Sequence, residues 1–255
     1  MAISSFGKIL TVLDLFSVSR PIINVDIICA ELNLSKPTAY RYLKELVSAD
    51  MLKRISGTSG DYNLGSKIAV LDYISHRTDP LVQISIPFMR DIVERTELFC
   101  LLTYLNHDYC IDLHHENFKD SELLSFGRGC PRPVYIGASP KIMIADLSKQ
   151  RIQGYYQQFS AEIAEVGFAQ SLEEFIQHMR KIKKQGFYLS QGEIDPLVCG
   201  LSVPIRFSNK EAPIALTLVA SKNRFDFLNM QKLIEILQNN AAQIEHKFTT
   251  LAETA

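Results

Sequence analysis

The sequence lacks any framework for the cysteines it has. Cys29, Cys100, Cys110, Cys130 and Cys199 are odd in number, scattered and never in CxxC spacing. That excludes a disulfide scaffold or a zinc finger of the usual spacing and fits a reducing cytoplasm. No stretch approaches the roughly 20 uninterrupted apolar residues that span a bilayer, and residues 1–8 lack the basic-then-apolar order of a secretory signal. No membrane partner is expected. An excess of charge of one sign is missing too: 27 Lys and Arg stand against 28 Asp and Glu, a formal net of −1. There is no internal repeat and no low-complexity tract. What remains is 255 residues, 47% apolar and 22% charged, enough for two domains of unequal size.

The balanced charge is unevenly spread. Residues 1–78 hold nine Lys/Arg against seven Asp/Glu, a net of +2, and the remainder holds eighteen against twenty-one, a net of −3. Between Asn33 and Gly60 five basic residues, Lys36, Arg41, Lys44, Lys53 and Arg54, face two acidic ones. A local cationic patch on a neutral chain suits a protein that binds nucleic acid and must also release it.

Periodicity gives the patch a scaffold. Phe6, Ile9, Leu10, Leu13 and Phe16 recur three or four apart, which predicts a helix over Ser5 to Phe16. Asn24 is placed to cap a second helix, Val25 to Leu32, and Ser35 a third, with Pro37 tolerated in its first turn and an end near Ala49. In that third helix Ala39, Tyr42, Leu43 and Leu46 form the apolar stripe, which leaves Lys36, Thr38, Tyr40, Arg41 and Lys44 facing outward. Met51 to Ile55 and Asp61 to Leu64 flank a Gly/Ser tip and read as a β-hairpin. Ser66 to Ile74 is helical in pattern, and the polar run His76 to Pro80 is the expected domain boundary.

The rest alternates. Helices are expected at Leu81 to Arg95, Pro140 to Leu147 capped by Ser139, Leu172 to Gln185 capped by Ser171, and Asn229 to Leu251. Strands are expected at Leu98 to Leu105, Tyr109 to His115, Leu123 to Phe126, Phe187 to Ser190, Gly200 to Phe207 and Pro213 to Ala220. Hairpins mixed with flanking helices predict an α+β domain with an antiparallel sheet.

Helix, turn, helix and hairpin make the plan of a winged helix-turn-helix. The third helix of such a unit fits the major groove, where base edges show a distinguishable donor and acceptor pattern. Ser35, Lys36, Thr38 and Tyr40, near its N-terminus, reach furthest; Arg41 and Lys44 lie one turn on. Lys53 and Arg54 would approach the backbone or minor groove from the hairpin. The alternative from pattern alone is a three-helix bundle with a solvated basic face.

The run Leu34-Ser-Lys-Pro-Thr-Ala-Tyr-Arg-Tyr-Leu-Lys-Glu-Leu-Val47 resembles the recognition-helix signature of the IclR family of transcription regulators, and Tyr62-Asn-Leu-Gly65 resembles the end of that family's wing. Pro133 to Lys141 is similar to the family's loop beside the effector pocket. Gly186 to Pro196, running on to Val203-Pro204-Ile205, resembles the strand and loop that close the pocket. The resemblance implies a winged helix-turn-helix at 1–64, a linker helix at 65–79 and a GAF-like effector-binding domain at 80–255. It also implies a homodimer, or a tetramer of paired dimers, on a pseudo-palindromic operator. Carried over by position, Ile136, Gly137 and Ala138 would floor the pocket, with Asp195, Cys199, Gly200, Leu201, Thr217 and Val219 opposite. A ligand carboxylate would meet backbone N–H groups near Ser139. Where the family often has a cysteine this chain has Gly200, and Val219 stands where serine is common; the more aliphatic wall suggests an aromatic acid, or a pocket that has degenerated.

No enzymatic activity and no cofactor are expected. Asp112, His114 and Glu116 alternate onto one face of their strand, which reads either as a divalent-metal set or as a polar strand edge, and no second ligand cluster accompanies them. Cys199 and His178 suggest a nucleophile and base only if the fold brings them together, and no motif such as GxSxG surrounds the cysteine. A third reading makes the second domain a scaffold for assembly alone, its long final helix striped by Leu233, Ile236, Leu237, Ala241, Ile244 and Phe248.

Overall fold

The structure, a computed structural model, describes residues 5–58, 60–118, 126–207 and 213–254. The chain divides into two compact units, Met1–Thr78 and Asp79–Ala255. The expected strand at Leu123 to Phe126 falls almost wholly outside the described residues.

The first unit opens with α1 (Ser5–Leu10), which gives way to a short 3-10 turn at Leu13–Leu15, so the single helix expected through Phe16 is broken. A two-residue strand β1 (Ile23–Asn24) leads into α2 (Val25–Leu32). Asn24 caps α2 as its sequence predicts, its side chain accepting from the Asp26 and Ile27 amides at 3.1 and 3.0 Å. Asn33 then turns the chain with a left-handed φ of 50° into α3 (Lys36–Ser48). β2 (Leu52–Arg54) and β3 (Asp61–Leu64) form the hairpin, and β1 pairs with the far side of β3 to give a three-stranded antiparallel sheet. The core beneath these elements is Val12, Ile23, Ile28, Ala39, Leu43, Leu46 and Leu52. Each fully buried aliphatic chain contributes roughly 1.5–3 kcal/mol.

From the hairpin the chain enters α4 (Ser66–Thr78) through Gly65. A Cβ at Gly65 would lie 2.1 Å from the Asp50 carbonyl oxygen, so no other residue fits. The backbone ties on both sides are Gly65 N–H to Met51 O at 2.8 Å and Lys67 N–H to Asp50 O at 3.2 Å, and the Ser66 hydroxyl donates to the Asp50 carboxylate. The helix buries none of its residues, and Val70, Leu71, Tyr73 and Ile74 are all exposed.

In the second unit the described strands form one six-stranded antiparallel sheet. Its order is β6 (Arg132–Pro133), β5 (Tyr109–Glu116), β4 (Phe99–Asn106), β9 (Ile214–Ser221), β8 (Val198–Ile205), β7 (Tyr188–Gln191). One face packs on α5 (Pro80–Thr96) and α10 (Met230–Thr254) through Met89, Ile92, Leu102, Leu201, Leu216, Leu218 and Leu237. The other carries α6 (Ala138–Ala145), α7 (Lys149–Glu165) and α8 (Leu172–Gln185) through Ile142, Met143, Ile163, Phe175 and Met179. A short α9 (Lys222–Asp226) follows β9. This is the expected α+β arrangement, an antiparallel sheet flanked by helices.

Two local expectations change. A β-bulge lies where Leu102 pairs with His114 but Thr103 pairs with Asp112, leaving Leu113 as the extra residue. The bulge breaks the alternation that put Asp112, His114 and Glu116 on one face. Asp112 meets His115 at 3.1 Å, while His114 pairs with Glu116 at 2.9 Å and Glu116 with Arg90 of α5 at 3.1 Å. Among the described residues no group of three His, Cys, Asp or Glu is placed to hold a metal. The second change is at α6, whose N-cap is Gly137 and not Ser139. Among the described residues no helix is long and apolar enough to cross a membrane.

Candidate functional site

Two sites arise, one in each unit. In the first, α3 buries Ala39, Tyr42, Leu43 and Leu46, so the remaining positions of its 3.6-residue period form a continuous outer face. Lys36, Tyr40, Arg41 and Lys44 are exposed there, and Thr38 is half-buried. Ser35 sits at the N-cap position but makes no capping bond; its hydroxyl lies 3.0 Å from that of Thr38. The helix start thus presents first-turn N–H groups and two hydroxyls together, a surface suited to an anion. Lys36 pairs with Asp26 at 2.8 Å, and this hydrogen bond raises its ammonium above the ordinary lysine value. Both side chains are well exposed, so the pair competes little with a phosphate. The Arg41 guanidinium lies 5.9 Å from the Tyr42 ring centroid. Lys53 and Arg54 are exposed on β2, at the base of the hairpin tip.

In the second unit a cavity of about 50 Å³ lies between the sheet and the start of α6. Strand register builds it. Gly200 pairs with Ser190 on one side and Val219 on the other, and Thr217 pairs with Leu101, so these side chains share one face. Ala138 and Ser139 close it from α6, Arg132 from β6, and Ile194 and Val198 from the loop before β8 and its first residue. Of the expected residues, Ala138, Gly200, Thr217 and Val219 line this cavity, and Cys199 borders it with its backbone, its side chain lying among the α5 and α10 contacts. Gly137, with φ +94°, caps α6, and its N–H donates to Glu193 Oε2 at 2.9 Å. Ile136 is half-buried in the preceding turn, and Asp195 accepts from the Leu197 amide at 2.8 Å within the loop. Leu201 is a correction: alternation along β8 turns its side chain to the opposite face, where it is fully buried among the α5 and α10 contacts.

Residues not anticipated as pocket lining are Leu101, Arg132, Ser190, Ile194 and Val198, together with the Ser139 hydroxyl. Correct strand pairing would have found Leu101 from Thr217 and Ser190 from Gly200. The polar residues join in a chain. Thr103 donates to Asp112 at 2.7 Å, the Ser139 and Thr217 hydroxyls lie 2.9 Å apart, and Ser202 and Thr217 lie 2.7 Å apart. Burial pushes the Asp112 carboxyl up, but the His115 hydrogen bond, the Arg132 charge and the Thr103 hydroxyl outweigh it and hold the group below its ordinary value.

The loop over the cavity is pinned by one side chain. Glu193 takes Lys141 Nζ at 2.5 Å and the Gly137 amide on one oxygen, and the Tyr188 hydroxyl at 2.9 Å on the other. Lys141 lies inside α6 with its ammonium 4.0 Å from the Phe168 ring centroid; burial lowers its pKa against the pull of Glu193. Cys199 is buried, and burial raises its thiol above the ordinary value, the reverse of what activates a nucleophile. Burial likewise pushes Cys110 up to about 12.

Comparison with known proteins agrees with this anatomy. The helix-turn-helix domain of IclR matches residues 5–56, and the C-terminal domain of the bacterial transcriptional regulator IclR matches residues 73–246. The HTH-type transcriptional regulator KipR of Bacillus subtilis (strain 168) is 20% identical over 243 residues, 94% of this chain and 95% of that protein. An IclR homolog of Microbacterium hydrocarbonoxydans, crystallised with 4-hydroxybenzoate, superposes with a TM-score of 0.76 at 22% identity, covering 97% of this chain and 100% of that one. A transcriptional regulator of Rhodococcus sp. RHA1 gives 0.78 at 15% identity, covering 98% and 100%. The C-terminal match alone exceeds half of the sequence, and the chain belongs to the IclR family of bacterial transcriptional regulators, proteins with a DNA-binding helix-turn-helix and an effector-binding C-terminal domain that are in general not enzymes.

Proposed function

We propose that this chain binds a specific operator and that a small organic acid, an aromatic one foremost, sets its grip. The observation that carries the reading is the outer face of α3, where Lys36, Tyr40, Arg41 and Lys44 stand exposed directly across from a buried apolar stripe. In this reading residues 1–64 read DNA, 65–79 link and 80–255 sense. Ser35, Lys36, Thr38 and Tyr40 enter the major groove, Arg41 and Lys44 take bases or phosphates one turn on, and Lys53 and Arg54 hold the backbone. The protein acts where its DNA is, in the cytoplasm.

The exposed apolar residues of α4, Val70, Leu71, Tyr73 and Ile74, support pairing with a second copy. Two recognition helices then fall about one turn of DNA apart, roughly 34 Å or a multiple, on a pseudo-palindromic site. The aromatic choice draws on the aliphatic wall formed by Leu101, Ile194, Val198 and Val219, and on the 4-hydroxybenzoate held by the Microbacterium homolog. Ligand pockets usually span at least about 300 Å³, so a chamber of about 50 Å³ is too small for such an acid, and admitting one means lifting the loop that Glu193 pins. The ligand shifts DNA affinity only by its differential affinity for two arrangements of the protein.

The test is a titration of the purified protein against promoter fragments of its own genome at several salt concentrations, with and without 4-hydroxybenzoate and related acids. Salt-sensitive retention of one fragment, altered by one acid, is expected. No salt-sensitive retention of any fragment would end the DNA-binding reading, and unaltered retention with every acid would leave the second domain a scaffold.

A further inference from the structure

The buried polar groups around the cavity are not equally satisfied. Asp112 is fully engaged: Oδ1 accepts from Thr103 and from a terminal nitrogen of Arg132, and Oδ2 meets His115. Arg132 is not. It is only 7% exposed, its contacts with Asp112 and Thr103 both use the one nitrogen Nη2, and its buried Nε–H meets no acceptor among the described residues. A guanidinium keeps its charge and offers five N–H donors in a planar fork. Arg132, a residue of the cavity wall, therefore holds a donor without an acceptor, and its anion Asp112 is already shared among three partners. Ser139, Ser190 and Thr217 line the same space.

The floor is open because position 200 has no side chain. A Cβ there would lie 3.1 Å from the Ser190 hydroxyl oxygen, 3.4 Å from the Ala138 Cβ and 3.9 Å from the Thr217 methyl. Glycine at 200 thus keeps the space between the hydroxyls and the start of α6 free of side chain. A planar carboxylate is the group that a guanidinium edge and neighbouring hydroxyls match in shape and charge.

We propose that Arg132 is the ligand anchor of this chamber: its Nε edge takes the carboxylate of an organic acid, the Ser139 and Ser190 hydroxyls complete the cradle, and the acid is thereby selected over its neutral analogue. The proposal rests on the effector-domain reading above and deepens it by naming the group that holds the ligand's charge. The apolar remainder of the acid lies against Leu101, Ile194 and Val219.

The experiment measures binding to the full chain by calorimetry and thermal shift at fixed ionic strength. The probes are acetate, pyruvate, benzoate and 4-hydroxybenzoate, each beside its amide. At least one acid is expected to bind at least tenfold more tightly than its amide. Arg132→Gln should lower that acid's affinity at least tenfold and bring the acid-to-amide ratio to about one. Because Arg132→Gln strands Asp112 and threatens the fold, the paired change Arg132→Met with Asp112→Leu removes both charges at once and should give the same ratio. Gly200→Ala should keep the fold and weaken acid and amide alike. An acid that binds the paired variant as tightly as the native chain, or amides that bind the native chain as tightly as acids, would overturn the anchor and leave the effector domain standing. If neither class binds the native chain, the anchor and the effector reading fall together.

Discussion

The outer face of α3 and the chamber between the sheet and α6 hold their polar groups in opposite ways. On α3 the charged side chains project into solvent, and the ion pair of Lys36 with Asp26 is exposed at both ends. Around the chamber the charged groups are buried: Arg132 with Asp112, and Lys141 with Glu193, the two cations less than a tenth exposed. Solvated groups can be exchanged at little cost to the fold. Buried ones cannot be removed singly, because each would leave its partner's charge uncompensated out of water. The outer face of α3 is therefore free to vary, while the chamber's polar wall is bound up with the stability of its domain.

That contrast can be broken or sharpened by substitution, taken from the largest expected effect down. Glu193→Ala strands Lys141 beneath the loop and should cost about 3–5 kcal/mol, a fall in melting temperature of about 10 °C for a domain of this size; an unchanged melting curve would show that the buried pair is no more costly to break than a surface one. Leu201→Ala removes a fully buried side chain on the α5 and α10 side and should cost about 2–5 kcal/mol. Ligand affinity per folded molecule should not change, and a change measured by calorimetry would return Leu201 to the chamber. Arg41→Ala should leave the melting temperature alone and weaken operator binding by about 1–3 kcal/mol with relaxed base preference; equal loss on every DNA sequence would make it a phosphate contact. Lys53→Ala should be milder still, reducing the salt slope of binding by about one with sequence preference intact.

How far the sequence spoke for itself differs by element. Asn24 and Ser171 were legible as caps, and Ser171 does accept from the Glu174 amide at 3.2 Å. Ser139 is not the cap its position suggests, because its hydroxyl is drawn to Thr217, 78 residues away, and the cap lies two residues earlier at Gly137. Lys149–Glu165 is a helix that falls between the expected elements. That helix is interrupted at Phe159, whose φ of −121° leaves the helical range, and only Ile152, Tyr155 and Ile163 of it are buried. The α3 stripe was readable because local period alone decides which of its residues are inward. The chamber was only partly readable because it depends on which strands pair, and on a bulge that turns Asp112 toward Arg132. Leu201 illustrates the difference: its neighbour Gly200 lines the cavity, and one step along a strand reverses direction.

Gly65 carries one more consequence. The heading with which α4 departs from the hairpin is fixed by main-chain atoms of Asp50, Met51 and Lys67 closing around a residue too small to push them apart. The outer face of α3 is made of side chains and this heading is not. Substitutions can therefore accumulate on that face while the helix that leaves the hairpin keeps its bearing.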